Sequence, residues 1–175
     1  VCSSDLLSKL VSLGITDFLM EIGIQNVQIK WPNDIYIGSQ KVAGILIENA
    51  LKSNKVYSAI VGVGLNVNQL TFNSGNNPIS IINEIRCEQD LSALLNQLLF
   101  FIEKRYISLK QGKEKVIDTN YLELLLGINK ELKFKIGEEI LSGEIKGVNS
   151  IGKLQVLIDN KLNEFDLKEI AFLIS

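Results

Sequence analysis

The sequence predicts an α+β fold: a mixed, mainly antiparallel sheet with helices on one face, followed by a small all-β module. Three observations carry that expectation. The strand-like stretches between residues 27 and 67 are joined by connections so short that they can only link antiparallel neighbours. Apolar residues at three- and four-residue spacing flank this meander on both sides, as helices that cover a sheet require. From about residue 130 onward the chain shows four or five short strands separated by Gly, Asn and Asp turns.

The first helix is written in Leu6, Leu7, Leu10, Val11, Ile15, Phe18, Leu19 and Ile22. Ser3, Ser4 and Asp5 offer capping oxygens before it, and Gly23 stands where a helix stops. Val27 to Trp31 then alternates as a strand and is broken by Pro32-Asn33-Asp34. Ile35-Tyr36-Ile37 is a short strand ending in the turn Gly38-Ser39-Gln40. Lys41 to Glu48 runs back, turns at Lys52-Ser53-Asn54, and gives way to a strand from Val56 to Val67. Residues 68–80, rich in Asn, Ser, Gly and Pro, form a loop of functional length. Asp90 caps a second long helix with Leu91, Leu94, Leu95, Leu98, Leu99, Ile102 and Tyr106 on one stripe. A third helical stretch, around Val116–Leu126, ends at Gly127. A domain boundary is expected at Gly127-Ile128-Asn129, dividing residues 1–127 from residues 128–175. The strands of the second unit are Leu132–Ile136, Ile140–Gly147, Lys153–Ile158, Lys161–Phe165 and Ile170–Ile174.

Composition narrows the chemistry. The 175 residues include no His, which excludes Ser-His-Asp and Cys-His nucleophiles and imidazole metal ligands. Cys2 and Cys87 form neither a CxxC pair nor a zinc spacing. The formal net charge of −2 and the lack of a basic cluster argue against a nucleic-acid partner. Apolar runs such as Leu98 to Ile102 are too short to span a bilayer, and no N-terminal signal pattern is present. A soluble, reduced, cytoplasmic protein is expected. The start at Val1-Cys2 rather than Met suggests a piece of something longer.

Three clusters stand apart from the core pattern. In Val61-Gly62-Val63-Gly64-Leu65-Asn66-Val67, strand alternation sends Val61, Val63, Leu65 and Val67 toward a core. Gly62, Gly64 and Asn66 share the other face, where missing side chains admit a ligand, a bulge or a tight helix contact. The absent third glycine and the following loop make a dinucleotide fingerprint a poor reading. The second cluster, Lys30-Trp31-Pro32-Asn33-Asp34, is either an ordinary turn with Trp31 packed inside or a cation and a carboxylate held for a ligand. The third is Lys41 at the start of an apolar strand with Gly44 part-way along. It is either a solvated strand end or a second ligand-facing cation. Strict alternation puts Lys41 and Gly44 on opposite faces, so a shared role needs a bulge or an end-of-strand position. All three clusters lie in one meander and suit an anionic ligand: Lys41 and Lys30 for charge, Asp34 and Asn66 for orientation.

The string KWPNDIYIGSQKVAGILIE, followed by VGVGLNVNQ, closely resembles the catalytic domain of biotin–protein ligases. SGEIKGVNSIGKLQVLIDN is similar to the SH3-like C-terminal domain of the same family. The resemblance implies a class II synthetase-like ligase fold followed by a small SH3-like barrel. It also implies the activity of a biotin–[acetyl-CoA-carboxylase] ligase. Biotin is activated with ATP and Mg²⁺ to biotinyl-5′-AMP, then passed to a lysine of a biotin carboxyl carrier protein. Lys41 and Asp34 would be catalytic, and Lys41, Gly44 and Leu46 would hold biotin. Lys30, Asn33, Asn66, Gly62 and Gly64 would hold ATP and the adenylate, with no metal ligated by His or Cys. The family often forms homodimers, and neither nucleic acid nor membrane is expected as a partner here. One departure from the family is the absence before Lys30 of its Arg- and Gly-rich loop followed by Trp, which implies an N-terminally truncated form. The alternatives are a lipoate–protein ligase, against which the KWPND and GxGxN pairing speaks, and a non-catalytic ligand-binding or dimerising remnant.

Overall fold

The structure is a computed structural model that describes residues 4–52, 55–73 and 77–173. Cys2, Ser3, the Ser53-Asn54 turn and Ile174, all named above, lie outside those residues. The first helix, α1 (Ser4–Glu21), is followed by four strands, β1 (Val27–Lys30), β2 (Asp34–Ile37), β3 (Gln40–Lys52) and β4 (Lys55–Leu65). These pair antiparallel in the order β1-β2-β3-β4, the meander that the short connections required. β3 is longer than the expected Lys41–Glu48, because its pairing with β4 continues as far as Lys52 opposite Lys55.

Three helices follow: α2 (Ile81–Ile85), α3 (Leu91–Lys110) and α4 (Glu114–Leu124). The short α2 was not anticipated. Ser80 and Asn83 close a capping box around its first turn, and Ile81 is fully buried. Asp90 caps α3 as expected, accepting from the backbone of Ser92 and Ala93. The second sheet comprises β5 (Glu131–Ile136), β6 (Glu139–Val148), β7 (Leu154–Ile158), β8 (Lys161–Phe165) and β9 (Ala171–Phe172). It is antiparallel throughout, in the order β8-β7-β6-β5-β9.

Helix α1 is the centre of the core. Leu10, Leu13, Ile15, Phe18 and Leu19 are essentially inaccessible, each stabilising the fold by roughly 1.5–3 kcal/mol. The helix packs on β1, β2 and β3 with one side and on α3 and α4 with others, so its polar positions are buried too. Lys9 is buried and satisfied by Asp5 at 2.7 Å and by Asp118 of α4 at 2.9 Å. Gly14 lets α3 approach closely, since a Cβ there would lie 2.8 Å from the Ile102 Cα. Arg105 of α3 places its guanidinium on both oxygens of Asp17 (2.6 and 2.7 Å) and on the Asn120 amide oxygen (2.7 Å), tying three helices together.

The single apolar stripe expected for α3 divides in two. Leu94 and Leu98 are buried, but Leu91, Leu95, Leu99 and Tyr106 are largely exposed. The line toward α1 is narrow, and residues one position to its side on the 3.6-residue helix clear it. Among the described residues no helix is long and apolar enough to cross a membrane.

The two sheets meet at the end of β1. Leu126 donates its backbone N–H to the Ile29 carbonyl at 2.8 Å, and the Trp31 indole N–H donates to the Gly152 carbonyl at 2.9 Å. Gly127, at the expected boundary, has φ +77, a left-handed conformation that suits a chain reversal after α4.

Candidate functional site

The face of the first sheet turned away from α1 carries the candidate site. Strand alternation buries Val27, Ile29, Ile35, Ile37 and Ala43 against the helices, which leaves Lys30, Asp34, Tyr36 and Gly44 on the second face. The register aligns one row across four strands: Lys30 opposite Asp34, Asp34 opposite Gly44, and Gly44 opposite Gly64. The next pair outward on β3 and β4 is Leu46 with Gly62. A cation, a carboxylate and three glycines therefore share one surface, with Leu46 as its apolar wall.

Lys41 joins that face through a bulge. Ile35 pairs with Ala43, but Tyr36 pairs with Lys41, so Val42 is the extra residue. Val42 is fully buried, and inserting it reverses the alternation, turning Lys41 to the side of Gly44. Of the two arrangements that would let Lys41 and Gly44 share a face, a bulge is the one present. The Lys41 Nζ lies 2.5 Å from Asp34 Oδ1. A side chain at position 44 would press on this pair, since a Cβ there meets Lys41 Nζ at 3.2 Å and Asp34 Oδ1 at 3.3 Å. The Lys41 backbone is equally constrained. Its N–H donates to the Asn77 carbonyl and its carbonyl accepts from Ile79, both at 2.9 Å.

Asn33, Asp34, Lys41, Gly44, Ile45, Leu46, Gly62, Val63 and Gly64 line a shallow cleft of about 520 Å³. Asn33 is fixed to β3 twice. Its amide donates to the Ile45 carbonyl at 2.5 Å, and its own carbonyl accepts from the Ile45 N–H at 2.9 Å. Asn66 and Lys30 are not brought into the cleft. The Asn66 amide donates to the carbonyls of Ile79 (3.1 Å) and Lys41 (3.4 Å), so it holds the end of the loop against the start of β3. Lys30 shares the face but sits at the seam between the sheets. Its ammonium donates to the Tyr36 hydroxyl at 3.3 Å and lies over the rings of Tyr36 and Phe172. Burial lowers the Lys30 pKa, the neighbouring Lys41 charge pushes the same way, and Asp34 opposes them. Burial raises the Tyr36 pKa, with Asp34 adding and Lys41 opposing.

Sequence reasoning passed over Tyr36, although its position two residues after Asp34 on a strand already placed it on this face. The Asn77–Ile79 segment lies in the loop expected over residues 68–80, but its contacts with Lys41 were not anticipated. Among the described residues no group of three or more Cys, Asp or Glu gathers to hold a metal ion. Asp34 and Asn33 are the lining residues of the cleft whose side chains carry oxygen atoms. A second cleft of about 490 Å³ lies between α1 and α3, but its Arg105 is already committed to Asp17 and Asn120.

A family model described as the biotin/lipoate A/B protein ligase family matches residues 3–66, the segment that holds every residue lining the first cleft. The bifunctional ligase/repressor BirA of Salmonella typhimurium is 24% identical over 170 residues, covering 94% of this chain and 52% of that protein. Biotin–protein ligase 1, chloroplastic, of Arabidopsis thaliana is 41% identical over 68 residues, covering 35% of this chain and 18% of that protein. The solved structure of the biotin protein ligase from Aquifex aeolicus in complex with biotin and ATP superimposes with a TM-score of 0.80. It is 25% identical, and the match covers 100% of this chain and 74% of that one. The chain spans about half the length of the bifunctional relatives it matches.

Proposed function

We propose that this chain, which belongs to the biotin–protein ligase family, binds biotin and ATP in the cleft over Lys41 and joins them as biotinyl-5′-AMP. The observation that carries the reading is the bulge that brings Lys41, paired with Asp34, beside Gly44 and Gly64 on one bare sheet face. Two anions must meet for the reaction to occur. A biotin carboxylate oxygen forms a bond to the α-phosphorus as the α–β phosphoanhydride breaks and pyrophosphate leaves. The Lys41 ammonium neutralises the crowded oxygens, and Asp34 holds that ammonium at a fixed place before either ligand arrives. The glycines let ligand atoms lie directly on the backbone, and Leu46 offers an apolar wall for the ring system of biotin.

No side chain of this chain has to act as a nucleophile. In the second step the amine of a carrier-protein lysine attacks the acyl carbon, an amide forms, and AMP leaves with the acyl–oxygen bond. The absence of His is compatible with both steps. Mg²⁺ would travel with the triphosphate and offset its charge. Residues 128–175 form a separate SH3-like unit in this reading, and the setting is cytoplasmic.

Titration calorimetry of this chain with biotin, with ATP and with both tests the proposal. Heat from each ligand, lost in Lys41→Ala while the fold persists, is expected. A folded chain that takes up neither ligand would sink the reading. Lipoate belongs in the same experiment, because the matching family description covers both acids; tighter uptake of lipoate would favour the alternative ligase.

A further inference from the structure

Lys30 and Trp31 are consecutive, so their side chains leave the sheet on opposite faces, and the second sheet grips both. On the core face the Trp31 indole is buried, and its N–H reaches across 121 positions to the Gly152 carbonyl in the β6–β7 turn. On the cleft face the Lys30 ammonium lies 5.4 Å from the centre of the Phe172 ring, which belongs to β9. The backbone just before them is pinned as well, by the Leu126 N–H on the Ile29 carbonyl. Phe172 itself stacks edge-on against the fully buried Phe134 of β5, so it is not a loosely held cover. Gly152 has φ +87, and a Cβ there would lie 3.1 Å from Asp5 Oδ1, so the turn that presents the carbonyl is seated against α1.

The two residues after Trp31 in the cleft are Asn33 and Asp34, and Asp34 holds Lys41. We propose that Lys30 and Trp31 are positioning residues through which the second sheet sets the Asn33-Asp34 turn, and so the Lys41 ammonium, in its place. Lys30 acts in this way on Asp34, its directly opposite neighbour in the sheet, rather than as a contact to nucleotide. The inference rests on the ligase reading insofar as the site being positioned is the biotin and ATP site; the mechanical link itself does not need a ligand.

The test uses Trp31→Phe, which keeps an aromatic ring and removes the N–H, and Phe172→Leu, which keeps an apolar side chain and removes the ring over Lys30. Three quantities are read on each variant of the 175-residue chain. These are amide exchange in residues 33–46, acylation of Lys41 by an amine-reactive ester relative to the exposed Lys115, and biotin affinity. Expected are faster exchange confined to 33–46 and a rise in relative Lys41 acylation on the order of threefold or more, because an ion pair that opens more often exposes its amine. Biotin affinity is expected to fall by a similar factor, with the melting temperature only modestly lower. Uniform faster exchange across α1 and both sheets, with Lys41 reactivity unchanged relative to Lys115, would overturn the proposal, because the contacts would then be merely stabilising. So would no change in any readout in either variant. Normal biotin binding together with the localised loosening supports the link but removes its role in the site. A wild-type chain that shows the link and binds neither biotin nor ATP defeats the ligase reading alone.

Discussion

Lys41 and Asp34 form an ion pair of 2.5 Å directly above Gly44, where a Cβ would meet Lys41 Nζ at 3.2 Å and Asp34 Oδ1 at 3.3 Å. The pair is only partly shielded from water, with side chains about 30% and 20% exposed. Such a pair adds little to stability, on the order of 1 kcal/mol or less.

Lys41→Ala is therefore expected to leave the melting temperature nearly unchanged while ligand binding collapses. Removing a fixed cation from the place where two anions meet is worth roughly 3 kcal/mol, about two orders of magnitude in a rate or affinity. Calorimetry with ATP and biotin, beside a thermal melt of the same sample, checks both halves. A variant that binds as well as wild type would remove Lys41 from the site.

Gly64→Val separates folding from binding in the other direction. A Cβ at position 64 meets only the Gly44 carbonyl, at 3.9 Å, so the strand has room for it. Replacing a strand glycine with a β-branched residue should stabilise β4 by roughly 0.5–1 kcal/mol. The same side chain covers the bare strip beside Lys41, so biotin or ATP affinity should fall at least tenfold. Urea midpoints and ligand titrations moving in opposite directions would bear this out.

One buried lysine, Lys9, and one half-buried lysine, Lys30, predict opposite pH dependences. For Lys9, burial works against the charge, but the bonds to Asp5 and Asp118 outweigh it and raise the pKa above its ordinary 10.5. Its stabilising contribution is full below pH 10.5 and is lost as the pH rises through the raised folded value. The stability gap between wild type and Lys9→Met should thus be largest near neutrality and shrink toward strongly alkaline pH. Lys30, lowered by burial, is unfavourable while charged; its contribution improves as the pH rises through its depressed value toward 10.5. Urea unfolding of wild type, Lys9→Met and Lys30→Met across alkaline pH reads both trends, and parallel curves for the two variants would contradict them.

Arg105→Gln tests the helical side of the core, away from the cleft. It removes the two-pronged contact with Asp17 and the bond to Asn120, and leaves a half-buried carboxylate without its cation. A cost of about 1–3 kcal/mol follows, which for a chain of this size lowers the melting temperature by several degrees. Ligand titration should be unaffected, because the network joins α1, α3 and α4 and touches no residue of the cleft.

Much of this was legible in the chain itself. Alternation placed Gly62 and Gly64 on a face away from the core, and the Gly23, Asp90 and Gly127 signals marked helix ends that the structure keeps within a residue or a few. The α3 stripe misled because periodicity reports how apolar residues are spaced around a helix, not how wide a partner surface they meet. Leu94 and Leu98 found α1, whereas Leu91, Leu95 and Leu99 did not. Asn66 looked like a ligand contact because its type and its glycine neighbours suit one, yet carbonyls from two distant segments take both of its donor bonds.

By itself the sequence determined the antiparallel meander, the bare glycine face and the kinds of charge available on it. Those properties depend on alternation and turn chemistry within a few residues. Only the tertiary structure decided that Lys41 and Gly44 share a face, because the inserted Val42 is set by how β3 registers against β2. It alone decided that Lys30 and Trp31 are held by β9 and the β6–β7 turn, since contacts across more than a hundred positions arise from packing and leave no trace in local spacing.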